Sequence, residues 1–300
     1  MIDESASLDD LRREIDDLDA RIHDLLMRRA RVVDHVAAAK ARAGLGGALL
    51  RPGREAQVIR RLLARHEGSL PPAAIVALWR ELMTSFLRMQ GPFEVAIWPG
   101  ASEGAAAIAF WDLARAHFGA STPLALHDSA ARALGALGPG RGAVAILPLP
   151  SGDEAGAWWP ALLSDAPEAP RVVARLPFAD GAEGNGRHPA AVVVAPFPAE
   201  PSGDDAAYLG LALAGEASRD RLAALLAQSG FEGRTIAAVD QQGISLHLAE
   251  VAGHVAADDP RLSDLLRVGE GLVARASVLG GFAVPVSLGA PRAQARGAGA

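Results

Sequence analysis

The sequence predicts a multidomain protein: an all-α three-helix unit built as a dimeric helical bundle, then an α/β region, then a βαββαβ unit. Three observations predict it. An apolar seven-residue repeat runs through residues 8–42 with no Gly or Pro inside it. At Phe93 the pattern switches to short apolar runs that alternate at first with helical stretches. From about Ala206 the order becomes strand, helix, strand, strand, helix, strand, the split-βαβ layout found in small-molecule sensors.

Composition narrows the function classes. Half of the 300 residues are hydrophobic, enough for buried cores. Lys and Arg number 29 against 35 Asp and Glu, a net charge of −6, which disfavours a general nucleic-acid binder. Cysteine is absent, so disulfides, zinc–thiolate sites and cysteine nucleophiles are excluded. The opening MIDESASLDD is acidic and polar, unlike a signal peptide. No run of about 18 apolar residues occurs, so no membrane span and a cytoplasmic location are expected. The eight histidines are scattered without metal-binding spacing, and no metal site is expected.

Residues 8–42 read as one helix. Ser7 suits its N-cap, and Asp9 and Asp10 suit its positive end. At ~1.5 Å per residue the rod is roughly 50 Å long, more than a domain of some 90 residues can cover. A partner helix is implied, most simply from a second copy in a homodimer. GLGGALLRP (44–52) is a loop, a second helix spans about 53–66, and a third runs over 73–90 behind two prolines until Gly91-Pro92. Strands are expected at 95–99, 123–127, 143–150, 171–177 and 190–196, with helices at 104–118 and 129–137, in a mostly parallel sheet. Residues 181–186 and 198–205 read as loops. The expected boundaries are 1–92, 93–203 and 204–289, followed by a disordered tail over 290–300.

The seam of the first helix has one anomaly. Leu8, Ile15, Ile22 and Val36 fill one set of heptad positions, and Leu11, Leu18, Leu25 and Val32 the other, but Arg29 sits where an Ile or Leu belongs. Desolvating a guanidinium costs several kcal/mol unless an anion meets it. By itself Arg29 would pair with an acid of a neighbouring helix or fix a dimer register. Lys40, three turns on, shares its face. The second helix opens with Arg54 and Glu55, and Gln90 closes the third. Arg12 lies about 25 Å from Arg29 along the rod and would reach only a partner's pocket. Cations, one carboxylate and one amide between helices suit a small dianion.

The words LRREIDDLDARIHDLL, RR, AAAK, RPGREAQV and WRELMTSFLRMQ carry a family resemblance. Residues 8–90 resemble the all-helical chorismate mutase family, of the type fused to prephenate dehydratase in phenylalanine biosynthesis. The resemblance implies chorismate as substrate, a homodimer and no cofactor. It implies that Arg12 enters the partner's site and Arg29 its own, the two holding the substrate's carboxylates. Lys40 and Gln90 would donate to the ether oxygen, Glu55 would accept from the ring hydroxyl, and Arg54 would support the carboxylate side. Two positions depart from the family pattern. Arg51 stands where an acid is usual, and Phe86 where a small hydroxyl residue is usual.

Beyond residue 92 the resemblance is to the rest of that fused enzyme. VAIWPGASEG and GAVAILPLPSG sit where two dehydratase motifs belong, and ISLHLAEVAGHVAADDPRL resembles the end of an ACT regulatory unit. Pro150 and Ser151 replace an Asn-Ser pair, the catalytic Thr-Arg-Phe/Asp word is missing, and residues 93–203 hold a single lobe. Dehydratase activity is therefore expected to be absent. AAVDQQG replaces the word linked to phenylalanine binding, so feedback by phenylalanine is not expected. GPGRG (138–142) reads as a plain turn, and Trp158-Trp159 as packing or a partner contact. Two other readings stand beside the mutase: an isochorismate-pyruvate lyase on the same helices, and a non-catalytic regulator or scaffold.

Overall fold

The computed structural model describes residues 7–43, 50–102, 104–138, 142–150, 152, 157–164, 166, 169–181, 188–241 and 243–288. The expected tail, most of the 44–52 loop, the centre of GPGRG, Ser151 and the 182–186 part of the 181–186 loop lie outside these residues. Three helices come first: α1 (Leu8–Arg42), α2 (Pro52–Ala64) and α3 (Pro72–Met89). Ser7 caps α1 in a reciprocal capping box, its side chain accepting from the Asp10 N–H while the Asp10 carboxylate accepts from the Ser7 N–H. Pro52 and Pro72 occupy the first turns of α2 and α3, where a missing N–H costs nothing.

The α/β part contains β1 (Glu94–Ile97), α4 (Ala105–Phe118), β2 (Leu124–Leu126), α5 (Ala130–Gly135), β3 (Ala143–Pro148), a short 3₁₀ turn (Trp159–Leu162), β4 (Arg171–Leu176), β5 (Ala179–Gly181) and β6 (Ala191–Ala195). The last part contains β7 (Asp205–Leu213), α6 (Arg219–Gln228), β8 (Gly233–Gln241), β9 (Ile244–Ala252), α7 (Pro260–Val268), β10 (Val273–Ala283) and β11 (Val286–Leu288). Nine strands form one sheet in the order β2-β1-β3-β6-β4-β10-β7-β9-β8, and β11 pairs with β5 in a second, two-stranded sheet.

The expectation of a mostly parallel sheet needs correction. β1 runs parallel to β2 and β3, through the crossover helices α4 and α5, but β6 is antiparallel to both β3 and β4. A parallel pair needs a crossover connection, usually a helix, and none of the described residues between β4 and β6 is helical. The sheet is therefore mixed. The βαββαβ reading does appear: β10, β7, β9 and β8 are successive antiparallel neighbours.

The two later parts also share one core. β10 meets β4 in parallel at a single position, Gly280 opposite Val172. Gly280 has φ +129, and a Cβ there would lie 2.1 Å from the Val172 carbonyl oxygen, so the seam closes only over glycine. One sheet face packs Val95, Ile97, Ile146 and Val193 against Phe110, Leu113 and Phe118 of α4. The other packs Leu147, Val192 and Val194 in one cluster with Trp158, Trp159 and, from β9, Leu246 and Leu248. The tryptophan pair is core. Helices α6 and α7 cover Leu209, Leu211, Ala249 and Val251.

The helical unit stands on this sheet unevenly. α2 and α3 contribute Ala56, Ile59 and Met83 to a cluster with Phe178 and Ala283. By contrast, no residue of α1 is buried. Its seam lies open: Leu8 is 72% exposed, Ile22 55% and Leu25 64%.

Candidate functional site

Each expected site residue takes its position from one helix. Arg12, Arg29 and Lys40 ride on α1, Arg54 and Glu55 on the first turn of α2, and Gln90 at the C-cap of α3. Arg12 is exposed and pairs with Asp9 of its own helix, Nη1 to Oδ1 at 3.1 Å. Arg54 is exposed, and Lys40 is half-buried in the last turn of α1.

Arg29 leaves the seam by turning toward α3. Its guanidinium lies over the ring of Phe86, 4.2 Å from the centroid, a cation–π contact. Phe86 itself is buried. Partial desolvation lowers the Arg29 pKa, although the residue stays exposed. Gln90 belongs to the same cluster, its side-chain amide donating to the Phe86 carbonyl at 3.1 Å. One departure from the family pattern is thus the platform under the central arginine.

Glu55 is held differently. Arg80 of α3 donates from Nη1 to Glu55 Oε2 at 2.8 Å. Both side chains are largely buried, Arg80 being 5% exposed and Glu55 17%. Burial raises the Glu55 carboxyl above its ordinary pKa, and the charge and hydrogen bond of Arg80 pull it back down. Arg80 in turn lies over Phe178 at 5.1 Å. His117 of α4 is buried, and burial, with Arg80's charge adding, holds its pKa well below the ordinary imidazole value. Arg80 is not among the residues the sequence singles out. The available signal was an arginine in the apolar run of WRELMTSFLRM.

The structure brings Arg29, Phe86 and Gln90 together, and Glu55 with Arg80. It does not place all six expected residues around one hollow within a single chain. A cavity of about 470 Å³ at the end of α3 is lined by Gln90 with Arg88, Gly91, Phe93, Glu94 and Pro123, and by none of Arg29, Lys40, Arg54 or Glu55. Arg51, the second departure, is tied to Glu200 instead. Its Nε donates to both carboxylate oxygens of Glu200, at 2.9 and 3.1 Å.

The comparisons with known proteins locate the helical unit. Residues 11–91 match the family model described as chorismate mutase type II. The chain is 34% identical over 134 residues to the bifunctional chorismate mutase/prephenate dehydratase of Pseudomonas aeruginosa, a match covering 42% of this chain and 35% of that protein. It therefore spans about a third of the length of that curated relative. Among solved structures, a protein described as a novel type of quorum quenching acylase matches with TM-score 0.43 and 17% identity, over 64% of this chain and 95% of that one. A prephenate dehydratase from Streptococcus mutans matches with TM-score 0.40 and 14% identity, over 64% of this chain and 98% of that one. Among the described residues, no helix is long and apolar enough to cross a membrane.

Proposed function

We propose that this chain, whose residues 11–91 form a chorismate mutase type II domain, rearranges chorismate to prephenate in a pocket shared by two copies. The observation that carries the reading is the meeting of Arg29 with the end of α3. A guanidinium on an otherwise apolar seam lies over Phe86, whose carbonyl holds the Gln90 amide.

The reaction is an intramolecular [3,3] shift. It breaks the ether C–O bond as the new C–C bond forms, and transfers no proton to or from the protein. The protein's work is to hold the compact conformer and to stabilise negative charge growing on the ether oxygen. Arg29 and a partner's Arg12 grip the two carboxylates, with Arg54 beside them. Lys40 and Gln90 donate to the ether oxygen, and Glu55 accepts from the ring hydroxyl. The open seam of α1 supports the shared pocket. Seven of its eight seam residues are between 45% and 72% exposed in one chain, and a second α1 is the surface that would cover them.

Prephenate dehydratase activity is absent in this reading. The dehydratase's catalytic word is missing from the sequence. Strands β1 to β4 and β6 belong to the same sheet as the βαββαβ unit, and residues 93–203 form a single lobe in this reading. The test is to follow chorismate loss and prephenate gain for wild type and Lys40→Ala, then to assay phenylpyruvate formation from prephenate. Turnover that Lys40→Ala abolishes, with no phenylpyruvate, supports the reading. Absence of turnover, or salicylate formed from isochorismate, contradicts it.

A further inference from the structure

We infer that Arg80 is the positioning residue for Glu55, fixing one carboxylate oxygen so that the other faces the substrate, and that Phe178 from the sheet region closes the outer side of this pair. The inference rests on the mutase reading above and adds to it a residue outside the expected set.

The geometry is specific. Arg80 reaches one oxygen of Glu55, Oε2, at 2.8 Å. Among the described residues Oε1 accepts no hydrogen bond, so it is the oxygen left for a hydroxyl donor. Arg80 is more deeply buried than its partner, 5% exposed against 17%. The pair is therefore covered on the guanidinium side and more open on the carboxylate side. Phe178 provides part of that cover at 5.1 Å, packed with Ala56, Ile59, Met83 and Ala283. The charged and titratable groups around the pair come from three helices. Arg80 itself belongs to α3; Arg60 of α2 lies 5.8 Å from the Phe178 centroid, and His117 of α4 feels the charge of Arg80. A largely buried carboxylate without a cation would bind a proton more readily and lose its acceptor strength. Arg80's charge and hydrogen bond oppose that effect of burial and favour a charged acceptor held in one direction.

A residue that acts through another gives a particular double-mutant cycle. In the full-length chain, Arg80→Met lowers kcat/KM by about 10²-fold, the scale of a misplaced binding group. Arg80→Lys restores part of the loss. In a Glu55→Gln background, Arg80→Met costs little more. The acid limb of the kcat/KM–pH profile moves to higher pH in Arg80→Met, back toward wild type in Arg80→Lys, and vanishes in Glu55→Gln. Equal losses with and without Glu55, or a lower melting temperature with an unmoved acid limb, overturn the inference. If wild type does not turn over chorismate, the mutase reading fails instead. The pair is then read by NMR titration of the Glu55 carboxyl. A rise in its pKa in Arg80→Met upholds the pairing, and an unchanged value overturns it.

Discussion

Helices α1 and α2 both carry proposed site residues, yet they obtain their surroundings in opposite ways. α2 is fastened to its own chain at every turn. Arg51 pairs with Glu200, Gly53 lies where a Cβ would stand 2.5 Å from the Glu200 carbonyl oxygen, and Arg60 donates to Ser202 Oγ at 2.9 Å and to the Asp204 and Val284 carbonyls at 2.8 Å. The 35-residue α1 buries no residue at all and reaches α3 through Arg29. The difference divides the site. Glu55 and Gln90 are set by contacts within one chain, whereas Arg12 and Lys40 sit on a helix whose apolar face still needs a cover.

The sharpest way to break this comparison is to spoil the α1 seam. Leu18→Asp with Leu25→Asp is expected to halve the mass seen by light scattering and to lower mutase activity by at least about 10³-fold through loss of the shared pocket. The thermal transition of the sheet should stay where it is, because neither residue packs on it. With the seam left intact, Lys40→Ala is expected to lower kcat/KM by roughly 10²–10³-fold, the cost of one donor at a developing oxyanion. Its unfolding midpoint should match wild type.

The α2 side predicts the reverse balance, large effects on stability and smaller ones on rate. Arg60 is 20% exposed and serves three backbone carbonyls and a hydroxyl. Arg60→Ala should cost about 2–3 kcal/mol in denaturant unfolding, since each freed carbonyl loses a charged donor. His117 supplies a pH signature. Its folded pKa is depressed by burial, so the unfolded chain binds the extra proton. Stability is full above the ordinary value of 6.5 and falls as pH drops below it, by up to about 1.4 kcal/mol per pH unit. His117→Leu should flatten that limb. Arg51→Ala is the smallest effect, about 0–1 kcal/mol, because its pair with Glu200 is half exposed.

What the sequence could reveal followed the range of the forces involved. The α1 rod, its Ser7 cap and its interrupted seam are local patterns, readable from a 3.5-residue period and one misplaced Arg29. The βαββαβ unit is readable for the same reason, each strand and helix carrying its own signal. Sheet direction was not local. β6 runs antiparallel to β3 and β4, and an apolar run such as AAVVVAP has no polarity of its own. Nor was the seam between Gly280 and Val172, residues more than a hundred positions apart. Among the site residues, Arg29 announced itself by breaking a pattern. Arg80 had no such frame, because its meaning depends on Glu55, 25 residues earlier, and on Phe178 beyond the helical unit. Arg51 stands out in the sequence as a departure, but its partner Glu200 lies 149 residues away.

The central claim is that one active site takes residues from two chains, and mixing two damaged chains tests it most directly. Arg12→Ala and Lys40→Ala are each expected to be nearly inactive. After the two are mixed, unfolded and refolded together at equal amounts, half of the dimers are hybrids, and each hybrid has one undamaged site, so about a quarter of wild-type activity returns. Activity that stays at the level of either variant alone would contradict a pocket shared across the dimer.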